Sequence, residues 1–309
     1  MKKIINYYYD FDCIDILENK NYYSFFFNGD NYFFVFFNRS IDELKDLIYL
    51  CYELKLKGIK VHDIILNKFN SYLTKVGDID YILLKLNSNS KDIVDFFELC
   101  NNLNNFKLNK VNSKLYRNNW GELWSKKVDY LEYQISEIGR DKKVILDSFS
   151  YYIGLCENAI SYVNKINKVL QMSENDNITL SHRRIFYPNI NLNYLNPLSF
   201  IFDLEVRDVA ESLKVNFFNE EDALLDLKTF LKTKKLTNYG YHMLYARLLY
   251  PSYYFDLYED IMNNNADENK LIDIIKKVDD YEYFLKSSYD EINKYTSLEK
   301  VDWILKKEL

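Results

Sequence analysis

The segment SHRRIFYPNINLNYLNPLSFIFDLEVRDVAES, residues 181–212, combines residue types that could hold a metal ion and act on a phosphate. His182 stands near its start, Asn189 follows seven positions later, and Asp203 ends the apolar stretch SFIFD. An amide oxygen and a carboxylate are ligands that suit Mg²⁺, which in many active sites is bound together with the phosphates of the substrate. Phosphoryl transfer also needs a carboxylate that orients the attacking hydroxyl, yet two arginines directly follow the histidine.

Arg184 is the residue that argues most strongly against such a reaction. A guanidinium stays protonated at any working pH, so it accepts no proton, and it repels Mg²⁺. Arg184 could instead hydrogen-bond Asp203 or Asp208 and order the loop, or it could bind an anionic partner. An asparagine and an aspartate at this spacing, Asn189 and Asp203, are by themselves a weak signal for a metal site, because Mg²⁺ binds proteins mainly together with its nucleotide.

Two other parts of a phosphate site are missing from the positions that would supply them. LENKNYY, residues 17–23, joins the first two predicted strands and has no glycine for close backbone approach to phosphates. NYFFVFF, the next strand, has no lysine, and Lys85 lies two strands later. No GxGxxG, GxxxxGK[ST], HExxH or GxSxG occurs, which excludes the dinucleotide, P-loop, metalloprotease and serine-hydrolase motifs.

Composition restricts the class of protein. The 309 residues are 48% hydrophobic and 28% charged, which is typical of a folded chain with one or two domains. The net charge of −6 argues against a nucleic-acid partner, and no stretch approaches the ~20 apolar residues of a membrane span. The four cysteines are Cys13, Cys51, Cys100 and Cys156. Their wide spacing and the lack of a signal peptide favour reduced thiols in a cytoplasmic protein.

Residues 1–87 are predicted to form a strand-rich lobe with one helix. Residues 22–37 form two aromatic runs around Asn28-Gly29, the strongest hairpin signal in the chain. Ser40 and Glu43 have the spacing of a capping box at the start of the helix, and Gly58 ends it. Two strand-like runs over residues 61–87 complete the lobe in the order β-β-β-α-β-β.

Residues 88–309 are predicted to form a larger, mainly helical lobe. Helical patterns start in SKDIVDFFELCNNL and resume after an Asn-rich connection at 101–119. Two stripes with helical spacing follow: Trp124, Val128, Leu131, Ile135 and Ile138, and then Ile145, Phe149, Tyr152, Cys156, Ala159 and Val163. Short strands are expected near Leu180 and at PLSFIFDLE, and helices follow to the end of the chain.

This order of elements resembles the kinase-like phosphotransferases. In the aminoglycoside-phosphotransferase branch, the catalytic loop reads His-Gly-Asp, with an Asn five residues after the Asp and then a strand that bears a metal-binding Asp. His182 matches the His, while Arg183 and Arg184 replace Gly and Asp. Asn189 and Asp203 match the two metal ligands. The resemblance therefore implies a loop that keeps the spacing of its other residues but lacks the carboxylate that would act as the base.

A further segment, VRDVAESLK, resembles the Asp-Leu-Ala segment of that branch. There the aspartate holds the catalytic loop through backbone amides, a structural role that the resemblance implies for Asp208. YYIGLCENAISYV, SHRRI, RDVAESLK and YARLLYPSYYFDLYE together resemble the kinase-like spore-coat proteins of endospore-forming bacteria, the CotS and YutH type. The implied fold is α+β and two-lobed, with a small N-terminal sheet lobe and a larger helical lobe.

The function that these patterns favour is that of a pseudokinase with a binding or structural role. Its partner is expected to be a protein, either of the spore coat or another structural protein, and not a nucleic acid or a membrane. The chain is expected in the cytoplasm of the producing cell, with deposition on the spore coat. No cofactor is expected. One alternative is an active, divergent phosphotransferase that uses MgATP through Asn189 and Asp203. Another is an interaction scaffold unconnected with spores.

The remaining aromatic and histidine residues have simpler interpretations. His182 is expected to pack beneath the loop, and His62 and His242 to lie at the surface or in packing without evident partners. The stripe expected in the core is Tyr241, Leu244, Tyr245, Leu248 and Leu249. If exposed, Tyr250, Tyr253, Tyr254 and Phe255 would form a protein-contact patch.

Overall fold

The structure, a computed structural model, describes residues 1–12, 15–19, 22–87, 114–139, 141–184 and 195–306. The chain divides into two compact units. Of the described residues, the first unit holds 1–12, 15–19, 22–87, 114–116, 182–184 and 195–201, and the second holds 117–139, 141–181 and 202–306. Residues 114–116, 182–184 and 195–201 therefore belong to the first unit, although the sequence analysis placed everything after residue 87 in the second.

The first unit is built on an antiparallel sheet in the order β1-β2-β3-β6-β4, with β5 also paired to β6. Its elements are α1 (Lys2–Tyr9), β1 (Leu17–Glu18), β2 (Tyr22–Phe27), β3 (Asp30–Phe36), α2 (Ile41–Leu56), β4 (Asp63–Ile65), β5 (Thr74–Val76) and β6 (Ile79–Lys85). This sheet lobe and the largely helical second unit confirm the predicted α+β fold class.

The predicted hairpin is formed by β2 and β3. Asn28 and Gly29 both have positive φ, 49° and 89°, as the central residues of a two-residue type I′ turn require. The register that follows pairs Phe27 with Asp30 and Tyr22 with Val35. Successive residues point to opposite faces, so Tyr32 and Phe34 lie on one face and Phe33 and Val35 on the other.

The predicted capping box starts α2. The Ser40 hydroxyl accepts from the Glu43 amide at 3.1 Å, and the Glu43 carboxylate accepts from the Ser40 amide at 3.1 Å. Both contacts satisfy backbone donors that the first turn leaves unpaired. Gly58, with φ 75°, follows the end of the helix. The helix buries Leu44, Leu47, Leu50, Cys51 and Leu54.

The expectation of a single helix in this lobe needs correction, because α1 precedes the first strand. Ile5 and Tyr9 of α1 are buried against Phe25, Tyr32, Phe34 and Leu83 on one face of the sheet. The sequence KKIINYYY is rich in aromatic and β-branched residues and favours a strand locally. Packing one apolar face onto the sheet overrides that preference.

The second unit contains α3 (Trp120–Ile138), α4 (Lys143–Val169), α5 (Val206–Phe218), α6 (Ala223–Thr233), α7 (Asn238–Leu249), α8 (Ser252–Met262), α9 (Lys270–Lys276), α10 (Val278–Ile292) and α11 (Asp302–Leu305). The two predicted short strands are β7 (Ile178–His182) and β8 (Phe200–Leu204), which form a separate two-stranded sheet. A 3₁₀ turn, Pro197–Ser199, leads into β8.

The core of the second unit confirms most of the predicted stripes. Trp124, Val128 and Leu131 of α3 are buried, Ile135 packs beside them, and the α4 and α7 stripes are buried throughout. Tyr250, Tyr254 and Phe255 are buried as well, so these residues do not form an exposed contact patch. SKDIVDFFELCNNL, most of 101–119, and the side chain of Ile138 lie outside the described residues.

Cys51 and Cys156 are buried free thiols, as expected, while Cys13 and Cys100 lie outside the described residues. Burial raises the pKa of Cys51 to about 12. Within the described parts of the chain, no helix has the length and apolar character needed to cross a membrane.

Replacing Ser40 by Ala should lower the free energy of unfolding by about 1 kcal/mol, because the Glu43 amide in the first turn of α2 loses its capping acceptor. Chemical denaturation monitored by circular dichroism measures the change. Ser40→Asp keeps an acceptor and should stay close to wild type. Equal stability of the alanine and aspartate variants would contradict the capping role.

Candidate functional site

Asp203, the predicted metal ligand, lies in β8 and is completely buried, with 0% of its surface exposed. Its Oδ1 accepts from the Trp120 indole Nε1 at 2.9 Å and from the Leu204 amide at 2.8 Å. Its Oδ2 accepts from Arg207 Nη1 at 2.7 Å and from the same indole at 3.1 Å. All of these partners are donors, so both oxygens are used by the protein, and the ionised carboxylate is the form that fits.

The electrostatic environment of Asp203 is a balance between burial and nearby cations. Burial raises the pKa of Asp203 above its ordinary value, and the guanidiniums of Arg207 and Arg247 oppose that rise. The hydrogen bond from Trp120 acts in the same direction as the guanidiniums. The carboxylate therefore depends on these particular cations for its charge.

Arg207 occupies this position because α5 begins directly after β8. Residues 203 and 207 are four apart, and the first turn of α5 brings the guanidinium back onto the carboxylate. The structure pairs Asp203 with Arg207. The predicted pairing of Arg184 with Asp208 stays a prediction. The signal that could have found the pair is the Asp-x-x-x-Arg spacing in FDLEVRD.

Asp203 and Arg207 are the first members of a cluster of buried charges. A second carboxylate, Glu211, extends this cluster by one more turn of α5. Its Oε1 accepts from Arg247 Nε at 2.6 Å and from Lys214 Nζ at 2.8 Å, and its Oε2 accepts from the Ser252 hydroxyl at 2.6 Å. Lys214 is only 2% exposed and also donates to the Tyr250 carbonyl at 3.0 Å and to Ser252 Oγ at 2.7 Å. The cluster thus ties α5 to α7 and to the start of α8.

Burial and mutual charge shift all three groups at this end of the cluster. Burial alone would raise the pKa of Glu211, but Lys214, Arg247 and Arg207 outweigh it and hold the pKa well below its usual range. Burial lowers the pKa of Lys214 to about 8, against the pull of Glu211. Burial acts to lower the pKa of Arg247, but the carboxylates of Glu211 and Asp203 outweigh burial and raise this pKa above its usual value.

Aromatic rings close the cluster on the side of α3. Trp120 stacks on Trp124 with centroids 5.3 Å apart, and Trp124 stacks on Tyr250 at 4.4 Å. The Arg247 guanidinium lies 5.2 to 5.6 Å from the centroids of these three rings. Stacked rings exclude water and interact favourably with the cation, so the charges act on one another at low dielectric.

Residues 182–184, the described start of the segment that resembles a catalytic loop, belong to the first unit. His182 is buried, and its ring lies edge-on to Phe200 at 5.5 Å, in agreement with a packing role. The Arg183 amide donates to the Ser199 carbonyl at 2.7 Å, and its Nη1 donates to Asn38 Oδ1 at 3.2 Å. Arg184 is half-buried, and Asn189 lies outside the described residues.

Arg39, which the sequence analysis did not single out, holds the chain just before and at the start of β8. Its Nη1 donates to the carbonyls of Leu198 and Phe200 at 3.0 and 2.8 Å, and its Nη2 contacts Glu43 at 3.4 Å. Its side chain is 2% exposed. The guanidinium therefore links the capped start of α2 to the backbone that leads toward Asp203.

The strand that would carry a phosphate-binding lysine presents apolar side chains instead. Phe33 and Val35 of β3 point to the face covered by α2, where they pack with a cluster that includes Leu44. Lys85, at the end of β6, pairs with Asp30 at the start of the neighbouring strand β3 at 2.6 Å. This pair occupies Lys85 at the sheet surface.

Three other predicted residues are placed by the structure. Asp208 is buried in the first turn of α5; its role as anchor of the loop stays a prediction. The expectation that the other two histidines lack partners is wrong. His242 is buried and its Nδ1 lies 2.8 Å from the Tyr162 hydroxyl. His62 is buried, accepts at Nδ1 from the Asn87 amide at 3.3 Å, and has its pKa lowered to about 4 by burial.

The fold is that of the kinase-like phosphotransferases. An aminoglycoside phosphotransferase from Alicyclobacillus acidocaldarius superposes with a TM-score of 0.61 at 12% identity, over 95% of this chain and 97% of that chain. A spectinomycin phosphotransferase in complex with ADP and spectinomycin gives a TM-score of 0.55 at 12% identity, over 94% and 97%. At this identity the likeness shows the fold alone.

The sequence defines the family more narrowly. The family described as spore coat putative kinase YutH matches residues 2–288, and this chain belongs to that family. The endospore coat-associated protein YutH of Bacillus subtilis (strain 168) is 28% identical over 195 residues. That match spans 56% of this chain and 57% of the relative. The resemblance that the motifs indicated is thereby confirmed.

Asp203→Asn should destabilise the protein by about 3–5 kcal/mol, because the buried Arg207 loses the carboxylate as its counterion. In addition, the NH₂ group of the new amide would face N–H groups that also donate. Chemical denaturation measures the loss. Asp30→Asn, which removes a carboxylate from the pair with Lys85 at the sheet surface, is the matched control and should stay close to wild type. An Asp203→Asn variant as stable as wild type would refute a structural role for the carboxylate.

Lys214 predicts a pH dependence of stability. The native state releases this proton at about pH 8, whereas the ordinary pKa is 10.5, so between these values the unfolded chain binds more protons. Stability relative to Lys214→Met should therefore rise from pH 7 to pH 10, by on the order of 2–3 kcal/mol. Denaturation of both proteins across this range tests it, with Lys228→Met as the control for losing a surface lysine. A constant or falling difference would contradict the burial of a charged lysine.

Proposed function

We propose that this chain is a catalytically degenerate kinase-like protein that works by binding a protein partner at the spore coat. The observation that carries the proposal is the state of Asp203, whose two oxygens are engaged by Trp120, Leu204 and Arg207. The residue that matches a metal ligand by position serves here as a buried counterion.

Binding of Mg²⁺ at Asp203 would require the carboxylate to leave its donors. Separating a buried ion pair costs about 3–5 kcal/mol, because the guanidinium of Arg207 would remain buried without its partner. Mg²⁺ also keeps several waters and demands near-octahedral oxygen ligands, whereas Asp203 is fully buried beside an indole ring. The residues around Asp203 do not fit this ion.

The nucleotide phosphates would also lack their usual partners. In protein kinases, a glycine-rich loop covers the phosphates, and a lysine on the third strand pairs with a glutamate of the next helix. Here no glycine stands between β1 and β2, and β3 presents Phe33 and Val35 toward α2. Glu43 of α2 contacts Arg39 instead. These features support a chain that needs no nucleotide cofactor.

The family supports the proposed location and partner. A relative in Bacillus subtilis is described as endospore coat-associated, which supports deposition of this chain on the spore coat after synthesis in the cytoplasm. A coat is an assembly of proteins, so we infer a protein partner rather than a nucleic acid or a membrane. The net charge of −6 favours the same choice.

Calorimetric titration with MgATP should give no binding at micromolar concentrations, because neither the metal nor the phosphates find their ligands. A phosphate-release assay should give the same background rate for wild type, Asn189→Ala and Arg184→Asp. The last variant restores the carboxylate expected in the loop and is the sharpest control. Micromolar affinity, or release that Asn189→Ala abolishes, would favour an active divergent phosphotransferase and contradict the proposal.

A further inference from the structure

Helix α2 has two apolar faces, of which one is buried and the other exposed. Its outer face carries four large apolar side chains: Ile41 at 63% exposure, Tyr49 at 41%, Tyr52 at 60% and Leu56 at 66%. At about 100° of rotation per residue, these four fall within an arc of about 80°, opposite the buried leucines. We call this set the α2 outer stripe.

The α2 outer stripe is longer and more regular than scattered surface exposure. Single exposed apolar residues are normal in soluble proteins, whereas several on one face of a helix are typical of an interaction site. Ile41 and Leu56 are the first and last residues of α2, so the stripe spans about 22 Å at 1.5 Å per residue, with Lys45 on the same face between Ile41 and Tyr49. Tyr49 and Tyr52 lie near the middle, and tyrosine is a residue type enriched in protein interfaces.

Carboxylates line one side of the stripe. Asp42, Asp46 and Glu53 fall within an arc of about 40° beside Tyr49. Glu53 raises the pKa of Tyr49 by its charge, and Tyr52 contributes to the same rise, so these side chains are neighbours in space. We call the three carboxylates the acidic flank. The side of the stripe next to Ile48 has no carboxylate within α2.

We propose that the α2 outer stripe is the surface that binds the protein partner, and that the partner presents an amphipathic helix with lysine or arginine along one side. The stripe supplies four apolar side chains along the helix. The three carboxylates of the acidic flank outnumber the single Lys45, which pairs with Asp42, while Asp46 also accepts from the Lys114 amide. The flank therefore attracts basic side chains and fixes the orientation of the bound helix. This inference rests on the proposed binding function and names the surface and the partner chemistry for it.

A second copy of this chain fits the surface less well. Two α2 helices paired antiparallel about a two-fold axis would bring the acidic flank of one copy against the acidic flank of the other. Like charges at such an interface are unfavourable. A basic partner of different sequence is the occupant that the charge pattern selects.

Two synthetic helical peptides of about 18 residues, with the same leucine seam, test the proposal. One carries lysines along one side, and the other carries glutamates at the same positions. Fluorescence anisotropy with the full chain should show the lysine peptide binding at least about tenfold more tightly than the glutamate peptide.

Substitutions then place the binding site. Tyr49→Ser with Tyr52→Ser should weaken the lysine peptide by at least about tenfold, and Asp42→Lys with Glu53→Lys should reverse the preference toward the glutamate peptide. Tyr130→Ser with Tyr133→Ser, an exposed pair on α3, is the matched control and should leave both affinities unchanged.

Several results would overturn the inference. These are no binding of either peptide, equal binding of both, or binding that the α2 tyrosine substitutions leave intact. A dimer in sedimentation equilibrium that the same substitutions dissociate would assign the surface to a second copy instead. Micromolar MgATP binding together with the expected peptide binding would defeat the proposed function alone. If neither MgATP nor the lysine peptide binds, only the assignment of the partner surface to the α2 outer stripe would be contradicted.

Discussion

The ion pair between Asp203 and Arg207 is the constraint on which the rest of the second unit depends. A carboxylate removed completely from water must be matched by donors, and Trp120, the Leu204 amide and Arg207 provide them. Each donor comes with its own element, so α3, β8 and α5 are fixed around one charge. Glu211 repeats the arrangement one turn later with cations from α5 and α7.

The same pair connects structure to function. Asp203, which matches the metal-binding aspartate of the kinase-like phosphotransferases by position, is fully buried, and in the proposed function it serves as part of the core. Arg39 adds a second internal charge pair in the first unit, because it uses the glutamate of α2 and two backbone carbonyls to hold the chain that leads into β8. Internal charge pairs stabilise the fold, and in the function that we propose the outer face of α2 binds the partner.

Local rules of sequence predicted the elements whose causes are local. Asn28-Gly29 specified the hairpin, Ser40 and Glu43 the start of α2, and apolar spacing the buried faces of α4 and α7. α1 was not predicted as a helix because its aromatic sequence favours a strand locally. Only the packing of Ile5 and Tyr9 onto the sheet favours the helix. Arg207 was not predicted as the partner of Asp203 because the only sequence signal for the pair is the spacing of four residues. Trp120 was not predicted because its indole is distant in sequence and reaches Asp203 only in the folded chain.

Paramagnetic NMR of the Trp120 indole tests the central claim most directly, because its Nε1 lies 2.9 Å from the Asp203 carboxylate. Mn²⁺ and ATP would be added to the ¹⁵N-labelled chain, with Trp303 as the reference indole in the same spectrum. Our account predicts that the Trp120 N–H resonance keeps its position and width relative to Trp303. Selective broadening of Trp120 at micromolar Mn²⁺ and ATP would show a metal at Asp203 and contradict the account.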